Sequence, residues 1–526
     1  MTLKEGASIA VIGAGAAGLV TLRVLRDAGY HVIVFEGGNA VGGTWVYEDI
    51  LAEPDLARVA RPSGSCTGLE RPTECPVERS MSPPAPSLSP TAGTEPAPLV
   101  QSSIYANLRT NLPKQVMQFS DFPFPDQLPS FMDHWAVQRY LVDYAETHHL
   151  IRHVRFGTRV QAVEPLSADV WSRYRVTFAT ASNGGPHSLE FDAVCVCNGH
   201  YTTPQIPAEP FVESEKSAEY IPGLTDGTFS PGVVRHSHYY RDPTRYQGLR
   251  VLCLGSGPSG VDISIDIAQH ARTPVYLSSR AVKEMPPDSQ AGRYGVVQVP
   301  SLRAVIGPRS VLLADGTVLR ELDVIMLCTG YRYVFPFLTS QSGVLITHQG
   351  RVVEPLYHHL IPVFKWTLPL IGIPFSVAPF PLFEYQAHYI AAVFQGRVKL
   401  PGVDAMLAAI AEEKRVQQGF GQQPRHLHRL GDRQWAYNRQ LADAAGIKGP
   451  SLAIQSVYND TGTFRKLDPK QYRFREYRVF GDGPEDWEVQ IRLSPSMNAP
   501  DDGLRAAPSR TITRTGEEAE EYSTGL

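Results

Sequence analysis

The chain has 526 residues, which is too long for one compact core and predicts two or three domains with appendages. Its formal net charge of −4 provides no basic field, so nucleic acid is excluded as an expected partner. Six cysteines lie scattered without disulfide or zinc spacing, and the start has no charged-then-apolar leader, so we expect a cytoplasmic protein without a bound metal.

The first stretch of the chain predicts a strand, a glycine turn and a helix. Ile9 to Ile12 is an apolar run suited to a strand buried on both faces, and leucines at helical spacing follow until Gly29. Between them the turn reads Gly13, Ala14, Gly15, Ala16, Ala17 and Gly18. In this spacing the first glycine permits a tight turn, the second admits a diphosphate, and the third lets the helix pack against the strand. The diphosphate then binds at the positive end of the helix.

An acidic residue completes this first unit. A second apolar strand, His31 to Phe35, ends in Glu36, which is placed to accept hydrogen bonds from a ribose 2′-hydroxyl. The strand, turn, helix and acid together predict a dinucleotide site. The alternative is a glycine-rich turn that only packs.

The composition changes abruptly after Trp45. From about Glu53 to Leu99, prolines, serines and threonines dominate with little apolar periodicity. We predict a disordered surface insertion over 53–100. A proline-rich ligand for SH3-type domains is the alternative.

Regular structure is expected again from Ser103. Trp135 to His148 has helical spacing, and Thr158 to Val163 and Tyr174 to Ala179 are typical of two short paired strands. Phe191 to Cys197 predicts a buried strand that ends in a turn. These segments extend the α/β pattern of the first unit.

A second glycine turn follows the predicted strand Val251 to Leu254. It reads Gly255, Ser256, Gly257, Pro258, Ser259 and Gly260, and a helical segment follows. The next strand, Pro274 to Leu277, ends in Ser278, Ser279 and Arg280 instead of an acid. Because a carboxylate repels a 2′-phosphate whereas hydroxyls and a guanidinium bind one, this site is predicted to prefer NADPH over NADH. The alternative is that Arg280 is an ordinary surface charge.

The remaining segments are less regular. Val311 to Val318 predicts a hairpin, and Leu322 to Leu327 a buried strand. The uncharged run Trp366 to Phe383 is interrupted by prolines, so we predict irregular buried chain and no transmembrane segment. Phe383 to Val398 has the pattern of a long helix, and 491–526 is predicted to be a disordered acidic tail.

The chain has two nucleotide turns, the first without a phosphate-selective arginine and the second with one. Together they predict a flavin enzyme supplied with electrons by NADPH. We expect an α/β fold with two Rossmann-like domains: an FAD domain in two parts, 1–202 and 331–490, and an NADPH domain inserted at 203–330. A disulfide reductase would need a redox cysteine pair beside the flavin. Cys195 and Cys197 are separated by one residue within an apolar strand and do not supply such a pair.

The segment from Phe229 to Tyr240 resembles the FxGxxxHxxxY/F signature of flavin-containing monooxygenases. Gly232, His236 and Tyr240 occupy its positions, while Phe229 lies one residue further from the glycine than the pattern requires. Further segments resemble the same family in the family's order: VGGTWVY, LRTNLPKQVMQFSDFPFP, VCNGHYTTP, GPSGVDISIDIA, CTGYRYVFPFL and FEYQAHYIAAVFQGRVKLP. The resemblance is strongest to the plant S-oxygenating and yeast-like branch and extends from Ile9 to about Gly481.

The resemblance implies which residues bind the cofactors. The FAD residues would be Gly13, Gly15, Ala16, Ala17, Gly18 and Glu36, with Thr44 and Trp45 near the isoalloxazine. The NADPH residues would be Gly255, Gly257, Ser259, Gly260, Ser278 and Arg280. Asn111, preceded by Thr110, would lie beside both flavin and nicotinamide as the catalytic residue; the alternative is a turn amide that caps its own backbone. His236 would support the junction between domains and is not assigned as a general base.

The family's chemistry implies oxygenation of a small nucleophile, a thioether or an amine, by O2 through a flavin C4a-hydroperoxide, with no protein nucleophile. A homodimer is a candidate assembly. Baeyer–Villiger monooxygenases are a rival interpretation, although their signature ends in tryptophan followed by proline or aspartate where this chain has Tyr240 and Arg241. The two nucleotide turns are also compatible with an N-hydroxylating monooxygenase and with an FAD-binding protein that has no oxygenase activity.

Overall fold

The computed structural model describes residues 2–50, 53–56, 102–180, 185–207, 220–285, 292–481, 487–493, 509–513 and 518–521. The helices within these ranges are α1 Ala16–Asp27, α2 Lys114–Met117, α3 His134–Thr147, α4 Pro258–Ile267, α5 Pro379–Phe394, α6 Val403–Gly419, α7 Gln434–Ala445 and α8 Leu452–Leu467. The strands are β1 Ser8–Ile12, β2 His31–Phe35, β3 Val154–Arg155, β4 Thr158–Pro165, β5 Tyr174–Thr180, β6 His187–Phe191, β7 Ala193–Val196, β8 Thr203–Pro204, β9 Val233–His236, β10 Val251–Leu254, β11 Val275–Ser278, β12 Val296–Val299, β13 Leu302–Gly307, β14 Ser310–Leu313, β15 Val318–Leu319, β16 Val324–Leu327, β17 Tyr331–Arg332, β18 Leu345–Thr347, β19 Val352–Glu354, β20 Leu356–Tyr357, β21 Ile361–Pro362, β22 Arg475–Phe480, β23 Glu488–Leu493, β24 Ser509–Thr513 and β25 Glu518–Glu521.

A parallel sheet in the order β3-β2-β1-β7 forms the first Rossmann-like unit. β1 is its centre and pairs Ile9 with Val32 on one side and with Ala193 on the other. Because both faces of such a sheet are covered, its strands are continuous apolar runs instead of alternating ones. Helix α1 packs on the sheet and against α5, so residues from both ends of the chain build one core.

A second parallel sheet, in the order β12-β11-β10-β16-β9, forms the second unit. One apolar cluster around Leu252 and Ile325 covers one face, and another around Cys253 and Met326 covers the other. Helix α4 follows β10 and returns the chain to β11. The predicted fold class, α/β with two Rossmann-like units, is confirmed.

Smaller sheets join and flank the two units. β8 pairs antiparallel with β17 at the point where the chain enters and leaves the second unit. The predicted strand pair at 158–179 is part of a three-stranded antiparallel sheet, β4-β5-β6. In the part of the chain that the structure describes, no helix combines the length and the hydropathy that a bilayer span requires.

Two expected boundaries of disorder are wrong. The first residues of the predicted insertion 53–100 are packed: Leu56 is 4% exposed in the core of the second unit, and Asp55 accepts the N–H of Val234 at 3.2 Å. The remainder of the insertion, 57–100, lies outside the described residues. In the predicted tail 491–526, β24 and β25 extend an antiparallel sheet in the order β22-β23-β24-β25.

Candidate cofactor sites

Backbone atoms leave no room for side chains at two glycines of the first turn. Gly13 has φ +101°, and a Cβ added there would lie 2.6 Å from the carbonyl oxygen of Cys197. A Cβ added at Gly18 would lie 1.8 Å from the carbonyl oxygen of Gly13. α1 begins directly after Gly15 with no capping side chain among the described residues, so the N–H groups of its first turn have no partner within the helix. This arrangement fits a diphosphate at the start of α1.

Glu36 is anchored at this turn. The residue is 7% exposed, and its carboxylate accepts the N–H of Ala14 at 2.7 Å and the N–H of Gly38 at 2.7 Å. Each carboxylate oxygen can accept more than one hydrogen bond, so these two contacts leave capacity for a ribose hydroxyl.

The Gly42–Trp45 segment lies over the same turn. A Cβ added at Gly43, where φ is +56°, would lie 2.9 Å from the Cα of Gly15. The carbonyl oxygen of Thr44 accepts the Ser102 hydroxyl at 2.8 Å. The Trp45 ring packs edge-to-face against Phe380 with the ring centroids 6.5 Å apart. The structure thus brings the residues predicted for FAD to one place.

The second glycine turn repeats the geometry of the first. A Cβ added at Gly255, where φ is +108°, would lie 2.5 Å from the carbonyl oxygen of Cys328, and one added at Gly260 would lie 1.7 Å from the carbonyl oxygen of Gly255. A Cβ added at Gly257 would meet no atom of the described residues within 4 Å. No contact within the described chain therefore requires glycine at this position, whereas a diphosphate approaching the start of α4 does.

The three residues at the end of β11 have different surroundings. The Ser278 hydroxyl is buried, donates to Pro300 O at 3.1 Å and accepts the N–H of Leu302 at 2.9 Å. Ser278 is therefore engaged in the fold, and its expected direct contact with a 2′-phosphate is not supported. Ser279 Oγ accepts the Ser256 hydroxyl at 2.9 Å, which ties the end of β11 to the glycine turn. Arg280 is exposed and remains the candidate phosphate ligand.

Asn111 shares a cavity with the second turn. The cavity has a volume of about 490 Å³, and Asn111, Ser256, Gly257 and Pro258 contribute to its walls. The structure therefore places the predicted catalytic residue beside the predicted NADPH turn. A groove of about 1600 Å³ elsewhere in the described chain, between α5, α7 and the β22–β23 hairpin, contains none of the predicted site residues.

The signature segment around His236 is built into the fold. A Cβ added at Gly232 would lie 2.3 Å from the ring of Phe229, which explains why an aromatic residue and a glycine occur together here. His236 is fully buried, and its Nδ1 accepts the N–H of His238 at 3.0 Å. The proton therefore lies on Nε2, which donates to Gly330 O at 3.1 Å.

The environment of His236 favours a neutral imidazole at neutral pH. Burial, followed by repulsion from His238, lowers the pKa of His236 to about 3. The imidazole is neutral and both ring nitrogens are occupied. Its role is to hold the end of β9 against the junction after β16.

The comparisons with known proteins agree with these sites. The family model described as "Flavin-binding monooxygenase-like" matches residues 94–285 and 287–484, and that described as "NAD(P)-binding Rossmann-like domain" matches residues 11–69. The chain is 34% identical over 477 residues to the flavin-containing monooxygenase FMO GS-OX-like 4 of Arabidopsis thaliana, covering 88% of this chain and 93% of the relative. It is 34% identical over 485 residues to FMO GS-OX5 of the same plant, covering 90% and 92%.

Solved structures show the same relationship. The S-allyl-L-cysteine S-oxygenase from Allium sativum superposes with a TM-score of 0.73 at 33% identity and covers 89% of this chain and 94% of its own. Tmm from Pelagibacter sp. strain HTCC7211 shares the fold with a TM-score of 0.67 at 21% identity, covering 94% and 97%. The resemblance inferred from the motifs is confirmed, including its relation to the plant S-oxygenating branch. The chain belongs to the flavin-binding monooxygenase-like family and is an enzyme whose cofactors are FAD and NADPH.

Proposed function

We propose that this monooxygenase transfers one oxygen atom of O2 to a soft nucleophile, the sulfur of a thioether or the nitrogen of an amine, at the expense of NADPH. The observation that carries the proposal is the shared cavity of Asn111 and the second glycine turn. It supports a site in which the nicotinamide and the reacting centre are held together by a neutral amide.

The chemistry that FAD supplies when bound is acceptance of hydride from NADPH and activation of O2. The first turn and Glu36 would hold its diphosphate and ribose, and Thr44 and Trp45 would flank its ring system. The backbone at Gly257 and the side chain of Arg280 would hold NADPH. The Asn111 amide, with one acceptor and two donors, would orient the nicotinamide without exchanging a proton with solvent.

Thiol chemistry receives no support from the described cysteines near the first unit. Burial raises the pKa of Cys197 to about 12 and also raises the pKa of Cys195 well above its usual value. Neither thiol forms a thiolate at neutral pH, so a dithiol–disulfide relay through this pair is excluded. This observation favours O2 over a disulfide at this pair as the acceptor of the electrons taken from NADPH.

A thioether is our first candidate substrate. The support is a relative of known structure, whose name assigns it S-oxygenation of S-allyl-L-cysteine and to which this chain is 33% identical. Amine N-oxygenation is the second candidate. We further propose the domain division 1–202, 203–330 and 331–490, a cytoplasmic location and a homodimer.

The test is a panel of thioethers, tertiary amines, ketones and ornithine, with NADPH consumption, oxygenated product and hydrogen peroxide measured together. We expect one sulfoxide per NADPH with a thioether. Ester formation from a ketone, or peroxide as the sole product with every compound, would contradict the proposal.

A further inference from the structure

One arginine near the end of the family-matched region joins three distant parts of the chain. Arg473 donates to both carboxylate oxygens of Asp262 on α4, with distances of 3.1 and 2.6 Å. Its Nε donates to the carbonyl oxygen of Thr110 at 3.0 Å, directly before Asn111. We call these three residues the Arg473 bridge.

The bridge is shielded from water. The side chain of Arg473 is 11% exposed and that of Asp262 is 18% exposed. Arg473 also stacks on the ring of Tyr472, with its guanidinium carbon 4.8 Å from the ring centroid. A bidentate pair at this burial fixes direction as well as distance. The Thr110–Asn111 turn is thereby held at a set position relative to α4.

The same face of α4 makes a second contact with the chain near Asn111. Asp266 lies one helical turn after Asp262, and its carboxylate accepts Asn107 Nδ2 at 3.1 Å and the Tyr240 hydroxyl at 2.7 Å. The chain from Asn107 to Asn111 is therefore attached to the helix whose first turn is the predicted NADPH site.

We propose that Arg473 is a positioning residue, which fixes Asn111 relative to α4 so that the amide and a nicotinamide bound at the second turn stay aligned. The inference rests on the proposed roles of Asn111 and the second turn. Asp262 and Tyr472 also line the cavity that contains Asn111, so the bridge forms part of the wall of the site that it aligns.

Arginine is required for this geometry. Its rigid fork satisfies Asp262 with two terminal nitrogens while Nε reaches Thr110. A lysine would keep a positive charge beside Asp262 but presents a single nitrogen. Arg473→Lys should therefore fold and retain FAD while losing part of the alignment.

The chain provides a matched control two residues away. Arg475 forms a bidentate pair with Asp460 at 3.1 and 3.2 Å, and the two side chains are 8% and 6% exposed. Asp460 lies on α8 and does not line the cavity of Asn111. Loss of this pair removes a buried ion pair of similar kind without releasing the Asn111 turn.

The experiment compares the holoenzyme forms of Arg473→Gln, Arg473→Lys and Arg475→Gln with the parent. Two quantities are measured: the rate constant for anaerobic reduction of the flavin by NADPH, and hydrogen–deuterium exchange of the peptide containing 107–112. In Arg473→Gln we expect reduction to slow at least about five-fold, the lower end of typical coupling between sites, and the peptide to exchange faster. Arg473→Lys should lie between it and the parent.

Arg475→Gln should lower the melting temperature but leave both the reduction rate and this exchange at the parent values. Equal behaviour of Arg473→Gln and Arg475→Gln in both measurements would overturn the inference, as would an unchanged reduction rate in both Arg473 variants. Neither measurement requires O2 or an oxygenated product. A failure of the substrate panel would therefore reject the proposed oxygenation without affecting the test of the bridge.

Discussion

The two glycine turns follow the same steric rules. In each, the first glycine has a positive φ and faces the carbonyl of the cysteine directly after the neighbouring strand, and the third packs on the carbonyl of the first. These contacts depend only on the strand–turn–helix geometry, and both leave a helix start free to bind a diphosphate.

The turns differ in what surrounds the second glycine. Gly15 is covered by Gly43, and the acid after the strand, Glu36, is buried and bonded to the turn. Gly257 has no covering atom among the described residues, and Arg280 is exposed. This difference agrees with our proposal that the first turn holds the FAD that stays bound and the second turn holds the NADPH that delivers electrons.

The largest expected effect comes from the third glycine of each turn. Gly18→Ala places a Cβ 1.8 Å from Gly13 O, and Gly260→Ala places one 1.7 Å from Gly255 O. Because each backbone must open, we expect the first variant to lose FAD and the second to keep FAD but lose reduction by NADPH. The flavin-to-protein ratio and anaerobic bleaching measure both. Loss of flavin from Gly260→Ala would break the assignment of the two turns.

A smaller effect is expected at Arg280. Arg280→Gln would remove the charge-assisted hydrogen bond that we propose Arg280 donates to the 2′-phosphate, which should raise the KM for NADPH by about 10- to 100-fold and leave that for NADH unchanged. Arg272, which is 62% exposed and lies before the amino end of β11, opposite the end that carries Arg280, is the control. Equal changes in Arg280→Gln and Arg272→Gln, or equal changes for both coenzymes, would show that Arg280 does not select the phosphate.

The smallest effect concerns the pH dependence of stability in the second unit. Burial lowers the pKa of His236 to about 3, while the unfolded value is near 6.5. Its contribution to stability is therefore present above pH 6.5 and is lost as the pH falls from 6.5 toward 3, by up to about 1.4 kcal/mol per pH unit. His236→Gln should reduce this slope in denaturant titrations at several pH values. Parallel slopes for parent and variant would contradict a neutral buried imidazole.

The sequence predicted the parts of the fold that local pattern controls. β2 has the predicted bounds, and β1 begins one residue early, because a strand buried on both faces is a continuous apolar run between turn residues. Helix α5 begins at Pro379 instead of Phe383, since proline is tolerated in the first turn of a helix. The apolar run at 191–197 is divided at Asp192 between β6 and β7.

Other features depend on partners far away in the chain. The side chain of Glu53 is 1% exposed and pairs at 3.0 Å with Arg235, 182 residues later. The composition around Glu53 therefore gave no sign of this order. β25 reads EAEE and lacks apolar alternation. Arg473 and Asp262 are 211 residues apart, and neither lies in a motif that points to the other. Only the fold could identify this bridge as part of the candidate site.

We propose that this chain keeps FAD at the first turn and receives electrons from NADPH at the second. An anaerobic titration of the desalted protein with NADPH, followed by flavin absorbance, tests it most directly. We expect a yellow protein that bleaches completely with one equivalent of NADPH per flavin. A protein that emerges colourless, or that stays yellow after excess NADPH, would contradict it.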